Sequence, residues 1–281
     1  MSAYLGVCAI YRDEALNLRE WVAFHRLVGV ERFFLYDNRS TDAHREALAP
    51  FLEDGSVVLH DWPMWPGQLQ AYEHCAREHA GDARWIAFID IDEFLFSPTG
   101  RPLPEILPEY ERHVAVGANW ANFGTSGHLT RPPGLVLENY VYRTNDERIN
   151  AHYKTIAHPR RIERRGNPHW FVYEGGELAV DELHRPITGP PFSFTASVSF
   201  EKLRVNHYAT KSDEEYERKL ARGKADTEVP KTMPYATKER RDELLGQQYD
   251  DTVVKLYLPA LRESLAALEA EGAKRPARSG R

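Results

Sequence analysis

Residues 85–96 read WIAFIDIDEFLF, an apolar run that closes on Asp90, Asp92 and Glu93. In a strand, side chains alternate between the two faces with period two. Asp90 and Asp92 then project together, while Ile89 and Ile91 face the other way. Carboxylates gathered at the end of a buried strand repel one another and lose hydration, and a divalent cation offsets both effects. Hard oxygen ligands suit Mg²⁺ or Mn²⁺, which in turn hold substrate phosphates. Two other readings compete. Asp92 and Glu93 are also good residues for a helix start, as N-cap and first turn. A strand ending in DxD further marks aspartyl-phosphate phosphatases, whose first Asp is a nucleophile, but that chemistry uses the first strand.

Here three strands come first. Residues 4–11 (YLGVCAIY), 32–36 (RFFLY) and 57–60 are short apolar runs, and 84–91 is the fourth. Between them, Leu18, Trp21, Val22, His25 and Val28 follow the i, i+3, i+4 spacing of an amphipathic helix that Gly29 ends. Residues 43–52 and 68–79 also read as helices. Strand and helix in strict alternation predict an α/β fold: a Rossmann-type, mostly parallel sheet with helices on both faces and right-handed crossovers. Ligands of such sheets bind outside the carboxyl ends of the strands. Arg12-Asp13-Glu14, Asp37-Asn38 and Asp90–Glu93 all fall at those ends. Beyond residue 97 the pattern loosens. A Pro-rich connection spans 98–108, strands are expected over 113–120, 136–142 and 194–206, and helices over 212–225 and 252–271.

The chain has 281 residues, enough for one large domain or two small ones. Lys plus Arg number 36 against 42 Asp plus Glu, a net charge of −6. That balance excludes a general nucleic-acid binder, which shows a basic face. It leaves phosphorylated small molecules open, because a metal can screen acid against phosphate. No apolar run approaches the roughly 18 residues of a membrane span. Residues 1–12 lack the basic start, apolar stretch and cleavage site of a signal peptide, so a cytoplasmic location is expected. Cys8 and Cys75 read as buried free thiols, with a disulfide as the alternative. Lys274, Arg275, Arg278 and Arg281 make a basic tail over 272–281, expected to be disordered, with peripheral contact to anionic lipid as the sharper alternative.

Several stretches together resemble family 92 glycosyltransferases and the related family-2-like bacterial enzymes. They are RDEALNLREWVAFHRLVGVERFFLYDNRSTD (12–42), GQLQAYEHC (67–75), WIAFIDIDEFLF (85–96), WANFGTSGH (120–128), KTIAHPRRI (154–162) and NHYATKSDEEYERKLARG (206–223). They run in family order from about residue 4 to 225. The family pattern opens on Asn-Glu where this chain has Asp13-Glu14, a departure that bears on position 13 alone.

The resemblance implies one GT-A-like domain over 1–270. Its nucleotide-binding half covers about 1–97, its acceptor-binding half about 98–225 and a C-terminal helical extension about 226–271. It implies an inverting transfer from a nucleotide-sugar donor, most simply a UDP-sugar, to a hydroxyl of a glycan or glycosylated acceptor, with Mn²⁺ or Mg²⁺ held by the DxD motif. Asp92 would bind the metal and Asp90 the metal or the donor. His207 would be a metal ligand from late in the chain. Tyr11, Arg12, Glu14 and Asp37 would surround the nucleoside. A non-catalytic nucleotide-sugar or glycan-binding module on the same scaffold is the rival reading.

Physical chemistry fills in the remaining roles. A nucleoside diphosphate leaving group gains negative charge as the glycosidic bond breaks, so cations are needed where that charge grows. Lys154, Arg160, Arg161, Arg218, Lys219 and Arg222 are the candidates, and Lys219 and Arg222 share a helix face. A general base must deprotonate the acceptor; by composition it could be Glu93, Asp146, Glu147, Glu174, Asp181 or Glu182. Glu93 could instead buttress the acidic pair. His169 is a candidate for substrate contact. Trp120 and the segment holding Phe123, Gly124 and Ser126 are candidates for the acceptor site, because aromatic faces cover sugar rings and small residues allow close approach. Trp62 and Trp65, in a loop with Pro63 and Pro66, would either bind acceptor or anchor the loop.

Overall fold

The computed structural model describes residues 2–188, 193–223 and 238–273. The basic residues of the tail, and the expected boundary near residue 225, lie outside them. The first half alternates as expected: β1 (Ala3–Tyr11), α1 (Ala15–Leu27), β2 (Arg32–Asp37), α2 (His44–Glu53), β3 (Val57–Asp61), α3 (Gln68–Glu78) and β4 (Ala83–Phe88). The chain continues with β5 (Glu93–Phe96), α4 (Leu103–Ile106), β6 (Ala115–Asn122), α5 (Val136–Asn139), β7 (Tyr142–Arg143), α6 (Glu147–Asn150), β8 (Tyr153–Ala157), β9 (Ile162–Asn167), β10 (Trp170–Tyr173), β11 (Val180–Asp181) and β12 (Arg204–His207). The last elements are α7 (Asp213–Arg222), α8 (Lys238–Leu245), β13 (Gln248–Tyr249) and α9 (Thr252–Ala273).

The main sheet runs β3-β2-β1-β4-β8-β6-β12-β5, with β11 beside β6. Strands β1 to β4 are parallel to one another. β8 lies antiparallel between β4 and β6, and β5 antiparallel against β12. The alternation of apolar residues places each strand between two cores. Val7, Ala9, Phe33, Leu35, Trp85 and Ala87 face Trp21 and Phe24 of α1 and Phe51 of α2. Cys8, Ile10, Phe34, Tyr36, Ile86 and Phe88 face Tyr72 and Cys75 of α3 and Phe171 and Tyr173 of β10. Both cysteines are buried and free, as the apolar runs around them implied. Helix α9 shares the first core: Tyr257 packs edge-on against Phe24 at 5.4 Å and donates its hydroxyl to Ser97 O at 3.3 Å. Among the described residues no helix is long and apolar enough to cross a membrane.

Three expectations change. The fourth strand ends at Phe88 rather than at Ile91, because Asp90–Glu93 form a turn. Glu93 N–H donates to Asp90 O at 3.0 Å, and Asp90 N–H donates back to Glu93 Oε2 at 2.8 Å. Of residues 136–142, only Tyr142 lies in a strand, at the start of β7. Their first four form helix α5, because the buried Glu20 carboxylate of α1 accepts the N–H groups of Val136 and Leu137 at 2.8 and 3.1 Å. Those are donors a helix start leaves without partners of its own. In the expected strand over 194–206, only Arg204–His207 pairs along its length, with β5 and β6; Phe194 makes one isolated bridge to His152.

Candidate active site

A cavity of about 620 Å³ opens at the carboxyl ends of β1, β2, β4, β6 and β12. The Asp90–Glu93 turn forms its floor. Asp90 Oδ1 accepts from Gln68 Nε2 at 2.7 Å and from the Tyr72 hydroxyl at 3.2 Å, while Lys154 Nζ sits 3.0 Å from Oδ2. Gln68 and Tyr72 are four apart on α3, so one helix face serves one carboxylate. Gly67 before them has no room for a side chain. A Cβ there would lie 2.5 Å from Met64 O and 3.2 Å from Asn38 Nδ2.

Glu93 is wholly buried behind the turn. Its backbone carbonyl accepts Trp21 Nε1–H at 2.7 Å, and Lys154 Nζ lies 3.4 Å from its Oε2. Burial, with the negative charge of Asp90 and Asp92, pushes its carboxyl up to about 8 against the pull of Lys154. Burial pulls Lys154 down, but Asp90, its nearest partner, outweighs it and holds the ammonium charged. Lys154 and Asp90 are therefore the ion pair, and the Glu93 carboxyl beside them is pushed toward its neutral form.

Asp92 faces the cavity from the other side of the turn. Its Oδ2 is held by Lys219 Nζ of α7, and His207 Nε2 lies 3.9 Å from the same oxygen. Burial would raise the Asp92 carboxyl, but the Lys219 charge holds it far below the usual range. Burial pushes His207 the opposite way, down to about 3, so its ring is neutral. Its Nδ1 sits 2.8 Å from Asn122 Oδ1, and Asn122 Nδ2 donates to Ile149 O at 3.2 Å. With the Asn122 oxygen turned to Nδ1, the ring proton belongs there and the Nε2 lone pair points toward Asp92. Two acceptors thus face one point, and a cation must lie near them. Among the described residues no three His, Cys, Asp or Glu converge as a metal-holding group.

The loops after β1 and β2 are tied into one wall. Asp13, at φ 53°, accepts Thr41 N–H at 2.7 Å and donates its own N–H to Ser40 Oγ at 2.9 Å. Tyr11, Arg12, Glu14 and Asn38 line the cavity there, and Trp65 closes it. Arg222 Nη2 pairs with Glu14 Oε1 at 2.9 Å and also reaches Arg12 O. Opposite stands Trp120, whose ring lies 4.1 Å from His207, 4.9 Å from His152 and 5.1 Å from His169. Trp120 Nε1, Tyr216 Oη and Tyr11 Oη are buried without hydrogen-bond partners. His169 Nδ1 lies 2.8 Å from Tyr153 O, which fixes its proton on Nδ1 and leaves Nε2 a lone pair. Burial and then Lys154 push this ring down to about 3, so it is neutral as well.

A cavity with paired acids, neutral imidazoles and buried cations at a sheet edge narrows the chemistry, and sequence kinship decides the family. Residues 3–242 match glycosyltransferase family 92. The chain belongs to that family. A glycosyltransferase family 92 protein of Oryza sativa subsp. japonica is 36% identical over 143 residues, covering 49% of this chain and 24% of the relative. A galactan beta-1,4-galactosyltransferase of Arabidopsis thaliana is 28% identical over 107 residues, 34% of this chain and 21% of the relative. The chain thus spans about a quarter of the length of the curated relatives it matches. Among solved structures, S. aureus TarS 1-349 superposes with a TM-score of 0.44 at 10% identity, over 78% of this chain and 64% of that one.

The family 92 stretches converge on the cavity, but not every expected residue does. Tyr11, Arg12, Glu14, Asp90, Asp92, Trp120, Lys154, His169, His207, Lys219 and Arg222 line it. Asp37 turns away. Its Oδ1 accepts Ser40 N–H at 2.9 Å and its Oδ2 faces His44, so the neighbouring Asn38 holds the wall instead. Phe123 fills the core against Tyr208 at 4.8 Å, and Gly124 packs on Leu245. Ser126 lines a separate cavity of about 200 Å³ and accepts Val141 N–H at 2.9 Å. Arg160, Arg161 and Arg218 do not line the main cavity. None of the six acids offered by composition as a base lines it either. Asp146 caps α6, Asp181 pairs with Arg185, and Glu182 accepts the N–H groups of Glu201, Lys202 and Leu203. Asn122, Gln68 and Tyr72 were missed as functional groups, although all three lie inside the family 92 stretches. Their uncharged side chains carry no titratable signal at neutral pH, and the spacing of Gln68 and Tyr72 is what could have shown them.

Proposed function

We propose that the protein is a metal-dependent, inverting glycosyltransferase that takes its sugar from a UDP-sugar and delivers it to a hydroxyl of a glycan. The observation that carries this reading is the convergence of Asp92 and His207 on one point in a cavity that also holds Lys154, Lys219 and Arg222. The donor set suits Mn²⁺ or Mg²⁺: one carboxylate oxygen, one neutral imidazole kept in its ligand tautomer by Asn122, and room for substrate oxygens. When bound, that cation would supply charge stabilisation for the diphosphate leaving group.

The chain's own residues do the rest. Tyr11, Arg12, Asn38 and Trp65 bound the end of the cavity where the nucleoside would lie, and Glu14 fixes Arg222 at its rim. Asp90, oriented by Gln68, Tyr72 and Lys154, presents a carboxylate to the donor. Trp120 offers an apolar face to the acceptor sugar. His169, with its Nδ1 proton on Tyr153 O, is placed to hydrogen-bond the acceptor through Nε2, while a ring pushed down to about 3 is too weak a base to take the hydroxyl proton. Glu93 acts as a positioning residue, since it holds the turn rather than reaching the cavity. The kinship with galactan galactosyltransferases makes UDP-galactose the first donor to try.

The test is release of UDP from a panel of UDP-sugars with Mn²⁺ and β-galactan or other oligosaccharide acceptors, followed by NMR of the new anomeric centre. Transfer with inversion supports the reading. Retention of configuration overturns the single-displacement mechanism. Tight UDP-sugar binding with no turnover on any acceptor overturns the enzyme reading in favour of a binding module. Full activity in the presence of a strong chelator removes the metal.

A further inference from the structure

Both cavity-facing cations of α7 are already engaged. Lys219 Nζ sits on Asp92 Oδ2 and donates to Ala209 O at 3.1 Å; Arg222 sits on Glu14. The Lys219 ammonium thus lies at the oxygen that His207 Nε2 faces from 3.9 Å. A divalent cation shared by Asp92 and His207 would lie against the same Oδ2, where the ammonium's positive charge opposes it. We infer that Lys219 is an exchangeable counter-ion: it occupies the metal position in the ligand-free protein, yields it when the metal binds, and is thereby freed to pair with the donor's diphosphate. The inference rests on the metal reading above and adds to it an order of events and a coupling.

The physical logic is reciprocal. A buried carboxylate without a partner is costly, so Asp92 keeps a cation in every state. Lys219 supplies one until the metal arrives, at the expense of metal affinity, because the binding-competent state is only the fraction with Lys219 displaced. Once displaced, the ammonium remains at the cavity wall on a long flexible stem, one helical turn from Arg222. There it meets the phosphates of an incoming donor. Metal should therefore strengthen UDP binding, and UDP should strengthen metal binding by the same factor.

Calorimetry with Mn²⁺ alone, then with UDP in the presence and absence of Mn²⁺, tests this on the wild type, Lys219→Met and Lys211→Met. Lys211 pairs with Glu14 at 3.6 Å and serves as a control that removes a nearby positive charge without vacating Asp92. The expected result is Mn²⁺ affinity raised about tenfold or more in Lys219→Met, a smaller change in Lys211→Met, and loss of most of the Mn²⁺–UDP coupling in Lys219→Met only. Equal or weaker Mn²⁺ binding in Lys219→Met, or the same gain in both variants, overturns the exchange while leaving the metal site standing. Mn²⁺ binding to none of the three overturns the metal reading and the exchange with it. Should Lys219→Met fail to fold, amine labelling of the wild type read by mass spectrometry decides. Lys219 should label several-fold faster with Mn²⁺ than without, and an unchanged rate overturns the exchange.

Discussion

Asn122 Oδ1 and His207 Nδ1 lie 2.8 Å apart, on the adjacent parallel strands β6 and β12. The contact sets the tautomer of His207 and aims its second nitrogen at Asp92. Replacing Asn122 by Ala should leave the two donors in place but release the ring. Mn²⁺ affinity should fall by roughly 10- to 100-fold, as for other partners that orient a metal-binding histidine. Titration of Mn²⁺ by calorimetry checks it; an unchanged affinity would mean that Asn122 serves the fold alone.

Lys154 and Glu93 should respond unequally to substitution. Lys154 is 1% exposed and is the cation of Asp90. Lys154→Met leaves carboxylates without a buried partner and should cost about 3–5 kcal/mol of stability. Glu93→Gln copies the shape of a neutral carboxylic acid and keeps an acceptor for Asp90 N–H, so it should cost less than about 1 kcal/mol. Denaturant unfolding of both variants tests the assignment. A large loss in Glu93→Gln would show that Glu93 is ionised and shares Lys154.

Substitution of His169 separates binding from chemistry. His169→Ala should raise the KM for acceptor by about tenfold, the loss of one hydrogen bond, and change kcat by less than that, because the ring is too weakly basic to take a proton. A fall in kcat of about 10²-fold or more at constant KM would instead make His169 the general base. Steady-state rates over a range of acceptor concentrations distinguish the two.

Acid stability should depend on His25. Its Nδ1 faces Trp21 O at 2.8 Å and its Nε2 accepts Leu95 N–H at 3.2 Å, so a second ring proton has nowhere to go. Burial pushes the ring from 6.5 down to about 3. The unfolded chain takes the proton first as pH falls. The contribution of His25 is therefore complete above about pH 6.5 and is lost progressively toward pH 3, at roughly 1.4 kcal/mol per pH unit. His25→Gln, which keeps an acceptor for Leu95, should flatten the acid limb of the stability curve by one proton. An unchanged slope from urea melts at several pH values would refute it.

The first half of the fold was legible because local patterns decide it. β1, β2 and β4 are buried on both faces and β3, at the sheet edge, is half-buried, so their apolar runs stand out, and each is punctuated by a polar loop. The second half is governed by distant partners. Residues 136–139 look strand-like until Glu20, far back on α1, captures the N–H groups of Val136 and Leu137. The cavity lining is legible where charge marks it, at Asp90, Asp92, Lys154 and Lys219, and where family motifs reach it, at His207 and His169. Asp37, Phe123, Gly124 and Ser126 do not line that cavity, because a motif does not say whether a residue faces the cavity or supports the loop behind it. The turn at Asp90–Glu93 escaped notice for another reason: alternation survives it, with Ile89 and Ile91 in the core and both aspartates toward the cavity.

Strand β12 enters the sheet between β6 and β5, pairing Val205 with Trp120 on one side and Arg204 with Phe96 on the other. Partners so distant along the chain close late in folding, because the loop entropy must be met before the contact forms. A nascent chain that ends before Arg204 has β5 and one edge of β6 open, and neither His207 nor α7 is yet beside Asp92. The N-terminal strands can assemble during synthesis while the acidic turn waits without its imidazole and its lysine. The complete cavity should therefore appear in one late step, and the open strand edges before it mark the interval in which this chain is most exposed to misassociation.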